Sequence, residues 1–253
     1  MYPETFSLQA KRIIVTGASS GIGKSTALKC VSFGGDVLAI GRNEERLSHL
    51  NDMACGISGG GILLPITLDL TDFRKIEEFT SNLSGIDGIV LNAGIDRIVP
   101  NKFADPVSVE SIFNLNLYAN IELIRQLVKN RLLNKGASIV AIGSISGIKH
   151  HSIGKGIYSA SKAALASWMK TLALELAPKG IRANTICPGA INTEMVQSIM
   201  TEEQIKNDAD KYPLKRYGHP EEVANAVVFL LSDASKFITG TEIIIDGGRT
   251  LGG

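Results

Sequence analysis

Little in this 253-residue sequence favours a nucleic-acid or lipid partner. Lysine and arginine number 26 against 25 aspartates and glutamates, and a net charge of +1 leaves no electrostatic footprint for a polyanion. No window approaches the ~18 uninterrupted apolar residues of a membrane-spanning helix. Residues 1–12 carry Glu4 and no apolar stretch, so no signal peptide is expected. Cysteine is scarce: Cys30, Cys55 and Cys187 are far apart and odd in number, which predicts reduced thiols and a cytoplasmic protein. No His/Cys group has metal-ligand spacing, and the adjacent His150 and His151 project in different directions, so no metal site is expected. Repeats, low-complexity segments and linkers are also missing. With 44% apolar residues the chain can build one large core, and 1–253 is read as a single domain.

What is present is a rhythm. Short apolar runs at 12–16, 36–41, 61–67, 86–91, 137–143, 181–187 and 241–246 show little polar alternation, as strands of a parallel sheet covered on both faces do. Helical patterns fall near 22–34, 43–56, 71–82, 105–133, 156–178 and 220–231. The alternation predicts an α/β fold: a doubly wound (Rossmann), mostly parallel, seven-stranded sheet with ligands at the carboxyl ends of its strands.

The first strand runs into Thr16, Gly17, Ala18, Ser19, Ser20, Gly21, Ile22, Gly23. Glycines at a strand-to-helix turn let a pyrophosphate approach free amides at a helix N-terminus. Gly17 would serve the turn, Gly21 the close approach and Gly23 the packing of helix on sheet. Residues 18–25 also fit a permissive P-loop pattern, with Lys24 and Ser25 as the phosphate and Mg²⁺ ligands of a nucleoside triphosphatase. Against it, the first glycine of that pattern is replaced by Ala18, and Gly17 and Gly21 go unexplained. The second strand ends in Ala39, Ile40, Gly41, Arg42, Asn43. An acid at that tip would hold the ribose of NAD, whereas a guanidinium suits the 2′-phosphate of NADP. Arg42 therefore predicts NADP(H) in preference to NAD(H).

Tyr158 and Lys162 stand four apart in a helical run and share one face, with Cβ atoms roughly 5–6 Å apart. A phenol titrates ordinarily near pH ~10, and a fixed cation beside it is expected to lower that value, making Tyr158 a proton donor and acceptor near neutral pH. Ser144, in the turn Gly143-Ser144-Ile145-Ser146-Gly147, would bring a hydroxyl to the same place from a strand end.

On these residues the chain resembles the short-chain dehydrogenase/reductase family over nearly its whole length, in particular NADP-preferring members like the 3-oxoacyl-acyl-carrier-protein reductases. Beyond the glycine run, Leu68-Asp69-Leu70 resembles the family's adenine-contacting acidic site, and Asn92-Ala93-Gly94 the turn supporting its central sheet. Asn116, Ser144, Tyr158 and Lys162 match the catalytic set. Pro188-Gly189 with Ile191 matches the loop beside the nicotinamide, Thr193 a hydroxyl near its carboxamide, and Ile245-Asp246-Gly247-Gly248 the C-terminal signature. Leu91 replaces a more usual asparagine. The interval from Ser144 to Tyr158 is one residue longer than in many members, so Ser146 can be argued in place of Ser144, although Gly147 favours Ser144.

The resemblance implies hydride transfer between a nicotinamide and a carbonyl or secondary alcohol. Tyr158 delivers the proton, Ser144 binds the oxyanion, Lys162 holds the nicotinamide ribose and Asn116 positions a water relaying protons through Lys162. The substrate is a small molecule (a 3-oxoacyl thioester, a sugar, a steroid or a small ketone), with 190–217 as a mobile lid. The apolar breadth of 105–133, with the resemblance, implies a homotetramer or homodimer. A nucleotide-binding sensor without turnover stays open as the non-enzymatic alternative.

Overall fold

A computed structural model describes residues 4–58 and 60–251. Seven parallel strands form one sheet in the order β3-β2-β1-β4-β5-β6-β7, where β1 is Arg12–Thr16, β2 Asp36–Gly41, β3 Leu63–Thr67, β4 Ile86–Leu91, β5 Leu133–Ile142, β6 Arg182–Pro188 and β7 Glu242–Ile245. Strands β1, β2 and β4 coincide with the apolar runs, because each is buried almost throughout and its hydrophobic residues are continuous.

Alternate side chains serve two cores. Ile13 and Val15 pack on one face with α1 (Gly21–Ser32), α2 (Glu44–Cys55) and α9 (Pro220–Leu231). Ile14 faces the other, against α3 (Phe73–Ser81), α5 (Ala119–Lys129) and α6 (Gly156–Leu176). The order reverses between β1 and β4, and this switch point places a crevice at their carboxyl ends.

One expectation is corrected, and one region holds helices the sequence does not signal. The pattern over 105–133 is not one helix: α4 (Pro106–Phe113) passes into a π-helical turn, Asn114–Tyr118, before α5, and the chain has already entered β5 at Leu133. Hydrophobic spacing alone cannot register the extra residue of a π turn, which here turns Asn116 into the interior, fully buried. Region 190–217, read as a mobile lid and without a helical pattern in the sequence, contains α7 (Glu194–Ile199) and α8 (Glu202–Ala209). Both begin at threonine caps, and Thr201 with Gln204 forms a reciprocal capping box. Helices this short and polar carry too little apolar periodicity to be seen in the sequence.

Candidate active site

The crevice floor is a knot of hydrogen bonds. Thr16, fully buried at the end of β1, donates its hydroxyl to the Val90 carbonyl (3.1 Å) and accepts from the N–H groups of Asn92 (2.9 Å) and Ala93 (3.0 Å). The Asn92 amide returns bonds to the carbonyls of Thr16 (3.0 Å) and Gly17 (3.2 Å). Above it the chain turns through Gly17 and Gly21, both in the left-handed region at φ +64° and +52°. Gly23 is required for space: a Cβ there would lie 2.1 Å from the Gly17 carbonyl oxygen and 2.4 Å from Asn92 Nδ2. It therefore packs the helix on the glycine turn and Asn92.

Helix α1 starts at Gly21, and its N-cap Ser20 makes no side-chain capping bond. The first-turn amides of Gly21, Ile22 and Gly23 have no intrahelical carbonyl to bond. A turn with no room for side chains, under uncapped amides, fits a dinucleotide pyrophosphate. The P-loop alternative fails here, since Lys24 and Ser25 lie three and four residues past the start of α1 instead of opening it.

Ser19 packs against Gly41, whose added Cβ would sit 3.2 Å from Ser19 Cβ, so the tip of β2 adjoins the glycine turn. Arg42 is exposed at that tip. Its charge reaches Asp69, whose carboxyl lies below the usual range because bonds from Thr71 (2.9 and 2.8 Å) and the Arg42 and Lys75 cations outweigh its partial burial. Asp69 and Leu70 follow β3 and complete this edge. On the other side, the Gly189 N–H bonds the Ile245 carbonyl (2.9 Å), and buried Ile191 bridges Gly218. Thr193 caps α7 through its hydroxyl (3.4 Å to the Val196 N–H), while its methyl faces Gly21. Thr193, in the segment that leaves β6 through Pro188, Gly189 and Ile191, thus lies against the glycine turn.

Ser144, Tyr158 and Lys162 converge from two segments, the turn after β5 and helix α6. Ser144 stands two residues past β5, accepts from the Ser146 N–H (3.1 Å) and shares a hydrogen bond with the Tyr158 phenol. Ser146 is 7% exposed and makes no such contact, so Ser144 is the serine of this pair. Gly147 explains how the turn reaches α6: a Cβ there would meet Ala163 N at 2.8 Å and Lys162 C at 2.9 Å. The Lys162 ammonium donates to the Ile142 carbonyl (2.7 Å) and lies 6.0 Å from the Tyr158 ring centre. Asn116 Oδ1 accepts from the Ile95 N–H (2.8 Å), while its Nδ2 donates to the Ile95 carbonyl (3.0 Å) and Ser161 Oγ (3.0 Å). Its Oδ1 and the Lys162 ammonium both face Gly94, where a Cβ would lie 3.1 and 3.4 Å from them.

The expected acidification of the phenol is not found in the free chain. Burial, aided by the charge of Asp96, pushes Tyr158 up to about 12 against the Ser144 bond that opposes it. Burial also pushes Lys162 down to about 8. The sequence shows the spacing of the pair but not its desolvation, and desolvation wins.

Three further groups escaped sequence reasoning. Thr16 enters the sequence pattern only as the start of the glycine run, because a buried hydroxyl serving three backbone groups has no spacing signal. Cys187 is fully buried with its thiol bonded by the Ser144 N–H, and burial raises it to about 11, a neutral wall of the site. Lys155, three residues before Tyr158, pairs with Asp96 at 2.6 Å. A separate cavity of about 510 Å³, lined by Val99, Val109, Phe113, Ile157 and Ala160 among others, excludes Ser144, Tyr158 and Lys162.

The arrangement of glycine turn, switch-point crevice and converging serine, tyrosine and lysine has counterparts. A family model described as enoyl-(acyl carrier protein) reductase matches residues 17–250. The 3-oxoacyl-[acyl-carrier-protein] reductase FabG of Thermotoga maritima is 36% identical over 251 residues, covering 96% of this chain and 99% of that protein. The chain is a short-chain dehydrogenase/reductase. Glucose 1-dehydrogenase of Gluconobacter oxydans is 35% identical to this dehydrogenase/reductase, covering 100% of it and 96% of the relative. A short-chain type dehydrogenase/reductase from Mycobacterium marinum superposes with a TM-score of 0.87 at 34% identity, covering 98% of each chain. RhlG from Pseudomonas aeruginosa, solved as an NADP active-site complex, gives 0.90 at 28% identity, covering 98% of this chain and 100% of that one. Membership makes this protein a nicotinamide-dependent oxidoreductase of the CH–OH/C=O pair. No helix among the described residues is long and apolar enough to cross a membrane.

Proposed function

We propose that this dehydrogenase/reductase is NADP(H)-dependent and interconverts a small-molecule carbonyl and its secondary alcohol, with Tyr158 as the general acid and base. The observation that carries the reading is the convergence of Ser144 and Tyr158 in one hydrogen bond beside the buried Lys162 ammonium. The cofactor, when bound, supplies or takes up the hydride. Gly17, Ser19, Ser20, Gly21, Ile22 and Gly23 would hold its pyrophosphate, Arg42 its 2′-phosphate, and Asp69 and Leu70 its adenine. Asn92, Ala93 and Gly94 would carry the floor, and Pro188, Gly189, Ile191 and Thr193 the nicotinamide side.

Ser144 donates to the carbonyl oxygen as negative charge grows there, and Tyr158 delivers the proton. A phenol held protonated by burial is the form this step requires. Lys162, with an amine poised near pH 8, binds ribose hydroxyls and re-protonates the phenol. Buried Asn116 supports that proton path beside Lys162. Residues 190–217 act as the substrate lid of a single domain, and the protein assembles as a homotetramer or homodimer.

The test is NADPH oxidation followed at 340 nm across thioester, sugar and simple ketone substrates, with NADH alongside. Tyr158→Phe is expected to lower kcat by about a thousandfold or more while leaving the NADPH dissociation constant nearly unchanged. A variant retaining the wild-type rate with a competent ketone would reject the scheme. NADPH binding by wild type without turnover of any carbonyl would favour the sensor.

A further inference from the structure

Two charged side chains beside the Tyr158 ring are used neither by the hydride chemistry nor by the cofactor cradle. Lys155 immediately precedes α6; its ammonium lies 5.7 Å from the Tyr158 ring centre and 2.6 Å from a carboxylate oxygen of Asp96. Asp96 belongs to the loop after β4 and follows Ile95, whose N–H and carbonyl are both held by the Asn116 side chain. A backbone bond from the Val99 N–H to the Gly154 carbonyl (2.7 Å) ties the same two segments together. The Lys155 and Asp96 side chains are 29% and 33% exposed, so the pair is neither sealed in the core nor freely solvated.

We propose that the Asp96–Lys155 ion pair is a positioning element for Tyr158, a charge-balanced strap beside its ring that joins the β4 loop to the start of α6 and holds the phenol toward Ser144. The proposal rests on the reading of Tyr158 as the acid/base group.

The groups acting on Tyr158 come from every segment around it: Lys155 and Lys162 from α6 and its cap, Asp96 from the β4 loop, Ser144 from the turn after β5, and Cys187 from β6. Ser144 does not titrate in the working range, and Cys187, raised to about 11, stays neutral there. The charges are therefore one carboxylate and two amines. Asp96 favours the protonated form of both the phenol and Lys162. The Lys155 cation, placed by the ring, offsets it. Removing one partner leaves the other uncompensated, so the two single substitutions push the phenol in opposite directions. A brace with only a packing role would move it the same way twice, or not at all.

Asp96→Asn, Lys155→Met and the double variant decide this through the pH dependence of kcat/KM for carbonyl reduction. A ¹³C NMR titration of ζ-¹³C-tyrosine protein, with and without NADP, gives a second reading, the Tyr158 resonance being assigned by its loss in Tyr158→Phe. Asp96→Asn is expected to move the phenol titration down by about half a pH unit or more, Lys155→Met to move it up, and the double variant to return close to wild type. Shifts of the same sign, no shift in Asp96→Asn, or a double variant far from wild type would overturn the strap. Both side chains are partly exposed, so neither substitution opens the core. The NMR reading needs no substrate: failed turnover counts against the functional reading, whereas an unmoved Tyr158 resonance counts against the strap alone.

Discussion

At Tyr158 burial and neighbouring charge work against the deprotonated form, while the Ser144 hydrogen bond works for it, and burial is the larger influence. The sign of the pH dependence follows. Alcohol oxidation needs the phenolate as base, and a phenol held near 12 supplies little of it at neutral pH. For oxidation, kcat/KM is expected to climb with pH from 7 to 10, while reduction, which uses the protonated phenol, stays flat over the lower part of that range; stopped-flow NADP⁺ reduction measures it. Arg42 has an equally local consequence. Exposed beyond the end of β2, its guanidinium lies within electrostatic reach of Asp69. Arg42→Ala is therefore expected to weaken NADPH by about tenfold or more, the loss of a charge-assisted bond to phosphate, with NADH barely affected. Equal affinity of wild type for the two nucleotides would refute the assignment. Tyr158, Lys162 and Arg42 were legible as candidates because each sits at a position the βαβ rhythm makes meaningful. The Tyr158 titration was not, since it depends on how much water the fold removes, a quantity no spacing encodes.

Among the elements, the turn 143–147 and helix α6 have to meet at van der Waals distance for Ser144 to reach Tyr158. Gly147 permits it, and the atoms a methyl would strike are backbone, which cannot swing aside. Gly147→Ala should lower kcat at least tenfold and destabilise by about 1–3 kcal/mol, with circular dichroism still showing a folded protein. Unchanged kcat would mean that the turn has slack the contacts do not suggest. Strands were the most readable elements, because burial on both faces writes an uninterrupted apolar run. The π turn at Asn114–Tyr118 and helices α7 and α8 were not readable, the first because one inserted residue leaves the apolar pattern intact, the others because their caps, not their faces, define them.

The whole molecule leaves apolar groups of α4, the π turn and α6 in the open. Val107 is 75% exposed and Leu174 77%, on α4 and α6, and Tyr118 of the π turn is 45% exposed. The cavity lined by Val109, Phe113, Ile157 and Ala160 also involves α4 and α6. We expect this surface to be covered by a second copy, and sedimentation equilibrium at micromolar concentration to give about four times the chain mass, or twice it for a dimer. Sedimentation as a monomer would dispose of the assembly. The fold class was legible at this scale from the alternation of elements alone, because a βαβ chain has few topologies open to it.

One threonine hydroxyl couples β1 to β4, so these neighbouring strands cannot slip past each other without surrendering several contacts together. The seam where the sheet changes winding direction is thereby riveted. Whatever breathing admits and releases a nucleotide has to come from the roof over the crevice, with its base acting as an anvil.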